Sequence, residues 1–219
     1  MPGEGTGATD GFRPPVTIGG RYASLVPLTR AHIPALARAG RDPAIWRWLR
    51  IGPGRNESEM TALVEEQLAA QTEGSVLAFT VLALPERVPS GIFRFLDIDR
   101  ANRAVEFGTW IDSSRWRTPL NTEVKYLGFR HAFETERFHR VQLRTDSRNE
   151  RSQRAIERLG AVKEGVHREH LRLRDGYYRT SLVYSVLASE WPAVRARLEE
   201  KLARPWPSDA AISGASPRP

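Results

Sequence analysis

The sequence predicts an α+β fold (mixed α/β) in which helices interrupt a mostly antiparallel sheet. Three observations support this class. Segments with apolar residues at helical spacing occur between segments in which apolar and polar residues alternate. Glycine, proline, asparagine and aspartate mark the turns between these segments. With 40% hydrophobic residues, a chain of 219 residues suits one globular domain. The expected order is strand, two helices, three strands, helix, strand, helix, two strands and a final helix.

The first half of the chain contains four of the expected strands and two of the helices. The expected elements are strands at residues 21–28, 76–84, 91–98 and 103–111, and helices at residues 29–40 and 56–74. Thr29 can cap the first helix and Gly40 can end it. In the second helix, Asn56 or Ser58 can cap the N-terminus and Gly74 ends it. Its apolar residues recur three and four positions apart, which predicts one buried face.

The second half alternates helices and strands. The expected elements are helices at residues 119–136, 149–160 and 190–203, and strands at residues 140–146, 162–174 and 180–187. The stretch "RVQLRTD" alternates apolar and polar residues as a strand does. In "NERSQRAIERLGA", Asn149 is a natural N-cap and Gly160 a natural C-cap. Asp175 and Gly176 form a dipeptide typical of hairpin turns, so the last two strands are expected to pair.

The composition limits the class of protein. Residues 1–19 and 204–219 are rich in small residues and proline and are predicted to be tails, which leaves one domain at residues 20–203. The absence of cysteine excludes disulfides and thiolate metal sites. No apolar run reaches the roughly 20 residues that span a bilayer, and the N-terminus lacks the features of a signal peptide. A cytoplasmic location is therefore expected.

The chain is basic, with a formal net charge of +7 and a sequence pI of about 10.3. The basic excess is concentrated in residues 137–179, and such a region attracts phosphates of nucleic acid or of a small polyanionic ligand. However, the helix in this region alternates arginine with glutamate, which is more typical of a solvated, ion-paired surface. A nucleic-acid-binding module therefore remains the less favoured alternative.

The stretch "SSRWRTPLNTEVKY" begins with basic and polar residues and continues as a helix, directly after the predicted strand "RAVEFGTWI". Pro119 suits the first turn of a helix, where its missing N–H is not needed. A helix start offers unpaired backbone N–H groups and the positive end of the helix dipole. This strand, loop and helix therefore indicate an anion-binding site.

Three stretches together resemble the GNAT (GCN5-related) N-acetyltransferase superfamily, and within it the RimJ/RimL-like branch. They are "AVEFGTWI" leading into "RWRTPLNTE", then "RVQLRTDSRNERSQRAIERLGAVKEG", and finally "VYSVLASEW". The resemblance covers about residues 21–202, and the second stretch is the most specific. It implies the acyl-CoA N-acyltransferase fold, a twisted sheet splayed in the middle, and acetyl-CoA as co-substrate. It also implies that a homodimer is possible.

The resemblance implies where the coenzyme binds. Trp110 and Ile111 are expected to face the pantetheine arm. The residues expected around the diphosphate are Arg115, Arg117, Thr118, Leu120, Asn121 and Thr122. The usual family loop contains glycine, whereas this loop contains none and has Pro119 within it. Weakened coenzyme binding is therefore an alternative, and with it a catalytically weak acyl-CoA-binding domain.

Catalysis of acetyl transfer to an amine needs a base for the ammonium and an acid for the leaving thiolate. Glu106 is the predicted base, because it is the one carboxylate in an apolar strand beside the expected thioester; pairing with a neighbouring arginine is an equal alternative. His170 is the second candidate base. The resemblance places Asn149 and Ser152 near the thiol, and Ser152 is the predicted acid. If Ser152 does not act, a tyrosine such as Tyr184 or a water is the next candidate.

The predicted acceptor pocket involves "IWRWLRIGPG" between the first two helices, with Trp46 and Trp48 as substrate-binding residues. One of the two tryptophans is expected to pack in the core. No spacing of His, Asp and Glu suggests a metal site. The sequence does not decide whether the acceptor amine belongs to a protein N-terminus or to a small molecule. In either case the amine is expected to attack acetyl-CoA directly in a ternary complex.

Overall fold

The computed structural model describes residues 16–206, which form one sheet of eight strands and five α-helices. The strands are β1 (Ile18–Gly19), β2 (Ala23–Pro27), β3 (Leu77–Ala83), β4 (Val88–Asp99), β5 (Ala104–Ile111), β6 (Arg140–Asp146), β7 (Val162–Arg172) and β8 (Tyr178–Leu187). The α-helices are α1 (Ile33–Ala39), α2 (Glu57–Thr72), α3 (Pro119–Arg130), α4 (Glu150–Leu159) and α5 (Trp191–Ala203). Of the predicted tails, residues 1–15 and 207–219 lie outside the described part of the chain.

The strand order is β1-β2-β3-β4-β5-β6-β8-β7, and neighbouring strands are antiparallel except at one position. The exception is β5 and β6, which run parallel from the pair Ala104–Arg140 to the pair Phe107–Leu143. Beyond Phe107 and Leu143 the two strands no longer pair, although both continue. The predicted mostly antiparallel sheet, splayed in its middle, is thereby confirmed.

The ends of α2 and α4 agree with the capping residues in the sequence, whereas Thr29 precedes a 3₁₀ turn at Arg30–His32 and α1 begins only after it. Asn56 caps α2 by accepting from the N–H of Glu59 at 2.9 Å, and Asn149 caps α4 by accepting from the N–H of Ser152 at 3.2 Å. Gly160 ends α4 with a φ of 95°, a conformation that costs glycine least. The helix predicted at residues 119–136 is not uniform, because α3 gives way to a π-helical turn at His131–Thr135.

Each face of the sheet covers a separate hydrophobic core. The first core lies between the sheet and α3, α4 and α5, and phenylalanines from β3, β4 and β5 meet there. Phe93 and Phe95 pack edge to face, with their ring centroids 5.0 Å apart. The second core lies between the sheet and α1 and α2. Side chains alternate along β5, so Phe107 joins the first core and Trp110 the second.

A buried carboxylate joins the N-terminal strands to α3. The Glu123 side chain accepts hydrogen bonds from the backbone N–H groups of Arg21, Tyr22 and Ala23 at 2.8, 2.5 and 2.6 Å. Gly20 lies so close that a Cβ there would be 2.5 Å from the carboxyl carbon of Glu123. The first turn into β2 is therefore fixed to the helix that begins the predicted anion site.

None of the helices within residues 16–206 combines the length and the apolar character that crossing a bilayer requires.

Candidate active site

A cavity of about 610 Å³ lies where β5 and β6 separate. One end is formed by the start of α3 and the first turns of α4. The other end lies between the sheet and the segment that joins α1 to α2. The cavity therefore passes from one side of the sheet opening to the other and touches most of the residues predicted to act.

The start of α3 forms the basic end of the cavity. Thr118 caps the helix by accepting from the N–H of Leu120 at 3.3 Å, and Pro119 occupies the first helical position. Because helix geometry gives the third N–H of a helix no acceptor inside it, the N–H of Asn121 is available to a ligand. Arg117, Thr118, Asn121 and Thr122, four of the residues expected around the diphosphate, all line the cavity.

Arg151, which the sequence did not single out, adds a second cation at this end. Its guanidinium lies over the indole of Trp116, 3.3 Å from the ring centroid. Trp116 is itself held by a hydrogen bond of 3.0 Å from its Nε1 to the carbonyl of Ile111. Burial lowers the pKa of Arg151, and repulsion from Arg117 lowers it further. Two arginines that repel each other beside a helix start favour a bound anion.

Three predicted site residues occupy other places. Leu120 is buried in the first core, because the helical turn that exposes Asn121 points its neighbour inward. Arg115 lies in the short 3₁₀ turn before α3 and is not on the cavity wall. Trp46 packs in the second core, 5.0 Å from Trp110 between ring centroids, with its Nε1 bonded to the carbonyl of Gly40 at 2.7 Å.

The other predicted tryptophan, Trp48, does line the cavity. The guanidinium of Arg148 lies 4.6 Å and that of Arg47 4.4 Å from its ring. As expected, one of the two tryptophans packs in the core and the other lies in the pocket.

Trp110 and Ile111 lie at the open end of β5, where no β6 residue pairs with them. Their backbone faces the opening, so an extended chain can pair with it as an additional strand does. The indole Nε1 of Trp110 is buried and has no hydrogen-bond partner among the described residues.

Glu106 lines the cavity at the point where pairing between β5 and β6 ends. It is not isolated, because its Oε2 lies 2.5 Å from Nε of Arg144 and accepts from Gln142 at 3.0 Å. Arg144 also pairs with Asp97 at 2.6 Å. Both contacts of Glu106 use Oε2, so Oε1 has no hydrogen-bond partner within residues 16–206. The alternative of an arginine-paired carboxylate is therefore the observed arrangement.

Asn149 and Ser152 both line the cavity on the first turn of α4. The amide oxygen of Asn149 accepts the capping bond from the backbone N–H of Ser152. Tyr184, the second candidate acid, is buried in the first core and donates to Glu157 at 3.2 Å. Burial and Glu157 raise the pKa of Tyr184 to about 12, which makes it a poor acid at neutral pH.

His170, the second candidate base, also lines the cavity, on the exposed strand β7. Its ring meets that of His167 with 5.4 Å between centroids. Partial burial lowers the pKa of His170, so the imidazole is neutral at pH 7 and able to accept a proton.

Lys125, which the sequence did not single out, is buried and lines the cavity. Its Nζ bonds to the hydroxyl of Thr109 at 2.5 Å and lies 5.6 and 5.7 Å from the ring centroids of Phe93 and Phe107. Burial lowers its pKa to about 7, and Arg94 adds to the effect. A signal existed, because only 3 of the 33 basic residues are lysine, which makes a lysine in the middle of α3 unusual for this chain.

In the described part of the chain, the His, Asp and Glu side chains form no cluster of three that is arranged to hold a metal ion.

The chain matches the family model described as "Acetyltransferase (GNAT) domain" over residues 24–162. It is similar to YdaF of Bacillus subtilis (strain 168), which carries the name of a ribosomal N-acetyltransferase, with 30% identity over 101 residues. That match spans 46% of this chain and 55% of YdaF, about half the length of the curated relative.

Solved structures resemble nearly the whole described chain. A T. thermophilus protein described as an acetyltransferase is 41% identical, with a TM-score of 0.79 over 87% of this chain and 99% of that one. A GCN5-related N-acetyltransferase from Brucella melitensis is 28% identical, with a TM-score of 0.80 over 87% of each chain. The predicted superfamily is therefore confirmed, and the likeness to YdaF supports the RimJ/RimL-like branch. The chain belongs to the GNAT acetyltransferase family.

Proposed function

We propose that the protein transfers the acetyl group of acetyl-CoA to a primary amine by direct attack in a ternary complex. The observation that carries this function is the opening between β5 and β6. It joins a basic helix start on one side to a carboxylate and a tryptophan on the other. One continuous cavity of about 610 Å³ can hold the thioester and the amine together.

In this proposal acetyl-CoA lies along the open part of β5. The pantetheine arm pairs with the backbone at Trp110 and Ile111, and the diphosphate sits at the start of α3. Arg117 and Arg151 supply hydrogen-bond donors to the diphosphate in place of the glycine N–H groups of the usual loop. This placement also explains how a loop without glycine can serve, because arginine binds phosphate oxygens at least as strongly as backbone donors do.

The chain's own residues handle the protons. Glu106 accepts a proton from the acceptor ammonium through Oε1 while Arg144 holds Oε2. The neutral amine then forms a bond to the acetyl carbon, and the bond from that carbon to sulfur breaks. The nitrogen releases its second proton as the amide forms, and the leaving thiolate takes up a proton to give the free thiol. The Ser152 hydroxyl donates a hydrogen bond to the departing thiolate at the positive end of α4.

The proposed acceptor is a primary amine, and only the similarity to named relatives indicates which class of amine it is. The name of YdaF favours a ribosomal protein N-terminus, and the size of the cavity equally admits a small molecule. The alternative is a weakly catalytic acyl-CoA-binding domain. One observation favours it, because the ion pair with Arg144 engages the carboxylate of Glu106, the proposed base.

Calorimetric titration with acetyl-CoA tests the placement of the coenzyme. Reversing the charge in Arg117→Glu should weaken binding about tenfold or more, because the diphosphate would then face a carboxylate. Arg38→Glu, on the exposed side of α1, is the matched control and should change the affinity less than about twofold. Equal affinity in the two variants would contradict the placement.

Free-thiol release with a panel of primary amines then tests the transfer. Release that depends on both acetyl-CoA and an amine supports the enzyme. Tight binding of acetyl-CoA without release would identify the weakly catalytic domain instead. Absence of acetyl-CoA binding, together with nucleic-acid binding that weakens steeply with salt, would overturn the proposal.

A further inference from the structure

Two buried arginines on the cavity wall have no function in the proposed transfer. Arg94 is 6% exposed and Arg179 is 8% exposed, and both line the cavity. Within residues 16–206 neither forms an ion pair, and Nε of each has no hydrogen-bond partner. Burying an unpaired guanidinium is costly, so such groups in a cavity usually have a ligand.

The two arginines share the side of the sheet that carries Glu106. In the ladder between β4 and β5, Arg94 lies opposite Gly108, which shares the face of Glu106 by alternation. In the ladder between β6 and β8, Ser181 lies opposite Asp146, and Arg179 is two residues before Ser181 on the same face. Nη1 of Arg179 donates to the carbonyl of Trp48 at 3.4 Å, so this face is the one covered by the α1–α2 segment.

Ser181 adds a third unsatisfied group. Its hydroxyl is buried, lines the cavity and has no hydrogen-bond partner within the described residues. A hydroxyl and two guanidinium edges on one wall are all donors to a negatively charged oxygen.

Three carboxylates lie near these arginines, and two of them have closer arginine partners, while Glu66 attracts Arg94 without forming an ion pair. Asp146 pairs with Arg148 at 2.9 Å, and Glu106 pairs with Arg144 at 2.5 Å. Gln67, a neutral amide, is the side chain that contacts Arg94, at 3.0 Å. Burial lowers the pKa of Arg94 to about 10 and also lowers that of Arg179, and repulsion from Arg50 contributes to both. Among the described residues that line this part of the cavity, four arginines stand against the single carboxylate of Glu106, so the wall is positively charged; they are Arg50, Arg94, Arg144 and Arg179.

We propose that Arg94, Arg179 and Ser181 bind an anionic group of the acceptor, so that the preferred acceptor is an amine that carries a carboxylate or a phosphate. The inference rests on the proposed acetyl transfer and specifies its acceptor. Glu106 receives the proton of the ammonium while the arginines hold the anionic group. The ammonium and the anion of one small molecule thereby meet opposite charges on one wall.

The diphosphate of the coenzyme does not account for these arginines. Gly108, opposite Arg94, lies three residues before the end of β5, about 10 Å along the strand from Ile111. The start of α3 follows Ile111 and has its own cations in Arg117 and Arg151. The two positive regions therefore serve the two ends of the cavity.

Matched pairs of acceptors test the proposal. The pairs are free amino acids against their amides, O-phosphoethanolamine against ethanolamine, and peptides with aspartate against asparagine in the second position. Thiol release gives kcat/KM for each member. We expect the anionic member of at least one pair to exceed its neutral partner about tenfold or more, and that pair identifies the source of the anion.

Arg179→Gln should reduce this preference at least about tenfold, and Arg179→Lys, which keeps the charge, should retain part of it. Arg168→Gln, on the exposed strand β7, is the control and should leave the preference unchanged. Equal use of anionic and neutral acceptors, or a preference that survives in Arg179→Gln, would overturn the anion site.

If no amine supports thiol release, the transfer itself fails and the site is tested by binding alone. Calorimetry with N-acetylglycine and with inorganic phosphate then measures the anion directly. Binding that Arg179→Gln weakens about tenfold, and Arg168→Gln does not, upholds the site. Absence of binding by both probes, in a protein whose wild-type fold is intact, rejects it.

Discussion

The two oxygens of the Glu106 carboxylate have different surroundings, and this difference decides what the residue can do. Oε2 is held by Arg144 and Gln142, which fixes the side chain against the end of the β5–β6 pairing. Oε1 is left for the cavity. The proton-accepting role proposed for Glu106 therefore rests on Oε1 alone.

Glu106→Gln should lower kcat at least about tenfold while the affinity for acetyl-CoA changes little, because the amide cannot take the proton of the ammonium. The loss should shrink as the pH rises, since more of the acceptor amine is then already neutral. The pH–rate profile measures this, with Glu86→Gln in the exposed turn between β3 and β4 as control. A variant that keeps the parent's full profile would remove Glu106 from the mechanism and leave His170 as the base.

Ser152 and Asn149 share one helix turn but should respond differently to substitution. Ser152→Ala should lower kcat with little change in melting temperature, because in the proposed mechanism the hydroxyl donates a hydrogen bond to the leaving thiolate. Asn149→Ala should cost about 1 kcal/mol of stability, because it removes the cap of α4. Steady-state kinetics and thermal melts separate the two effects. Full kcat in Ser152→Ala would show that the serine is only a polar residue at a helix start.

At the scale of the elements, one buried carboxylate provides the hydrogen bonds that join the start of β2 to α3, in addition to their packing in the first core. Glu123 receives three backbone N–H groups from residues 21–23, which lie 100 to 102 positions away in the chain. The same helix begins the proposed diphosphate site, so the carboxylate fixes the helix against the sheet edge. This contact could not be predicted, because periodicity reports only which face of a helix is buried.

Glu123→Gln should therefore lower the free energy of unfolding by about 2 kcal/mol or more, since an amide presents one oxygen to three donors and brings a buried NH₂. Gly20→Ala should be destabilising as well, because its Cβ would lie 2.5 Å from the carboxyl carbon. Urea denaturation measures both, with the exposed Glu86→Gln as control. Parent-like stability of Glu123→Gln would mean that the three N–H groups have other acceptors in solution.

In the molecule as a whole, periodicity predicted which elements exist, and tertiary contacts decided what they do. The alternation in residues 103–111 and 140–146 predicted β5 and β6, and the resemblance implied that the sheet splays between them. The two-residue strand β1 was too short to leave a pattern. Residues such as Leu120 and Asn121 are adjacent, and only the helix phase in the folded chain puts one in the core and the other in the cavity.

The buried cations were the hardest features to predict. A charged residue in an alternating strand or helix normally marks the solvent face, and this rule fails where a cavity enters the sheet. Arg94, Arg179 and Lys125 all lie at such a place, so they look like surface residues in the sequence. Their burial has a consequence for the stability of the entire chain, and Lys125 shows it best because its pKa falls near neutrality.

Lys125 has a pKa of about 7 in the folded protein, against 10.5 for an exposed lysine. Below about pH 7 the lysine is charged in both states, so the folded protein bears the full cost of a buried ammonium. Between about pH 7 and 10.5 the unfolded chain binds more protons than the folded one. The contribution of Lys125 to the free energy of unfolding therefore becomes more favourable as the pH rises through this window.

Comparison with Lys125→Met, which keeps the length of the side chain without its charge, isolates this contribution. The variant should be more stable than the parent at about pH 7, and its advantage should shrink toward about pH 10 by at most roughly 1.4 kcal/mol per pH unit. Urea denaturation at several pH values measures the difference, and Lys163→Met on the exposed strand β7 should show none. A difference that stays constant from about pH 7 to about pH 10 would show that Lys125 is not held as a buried amine with a lowered pKa.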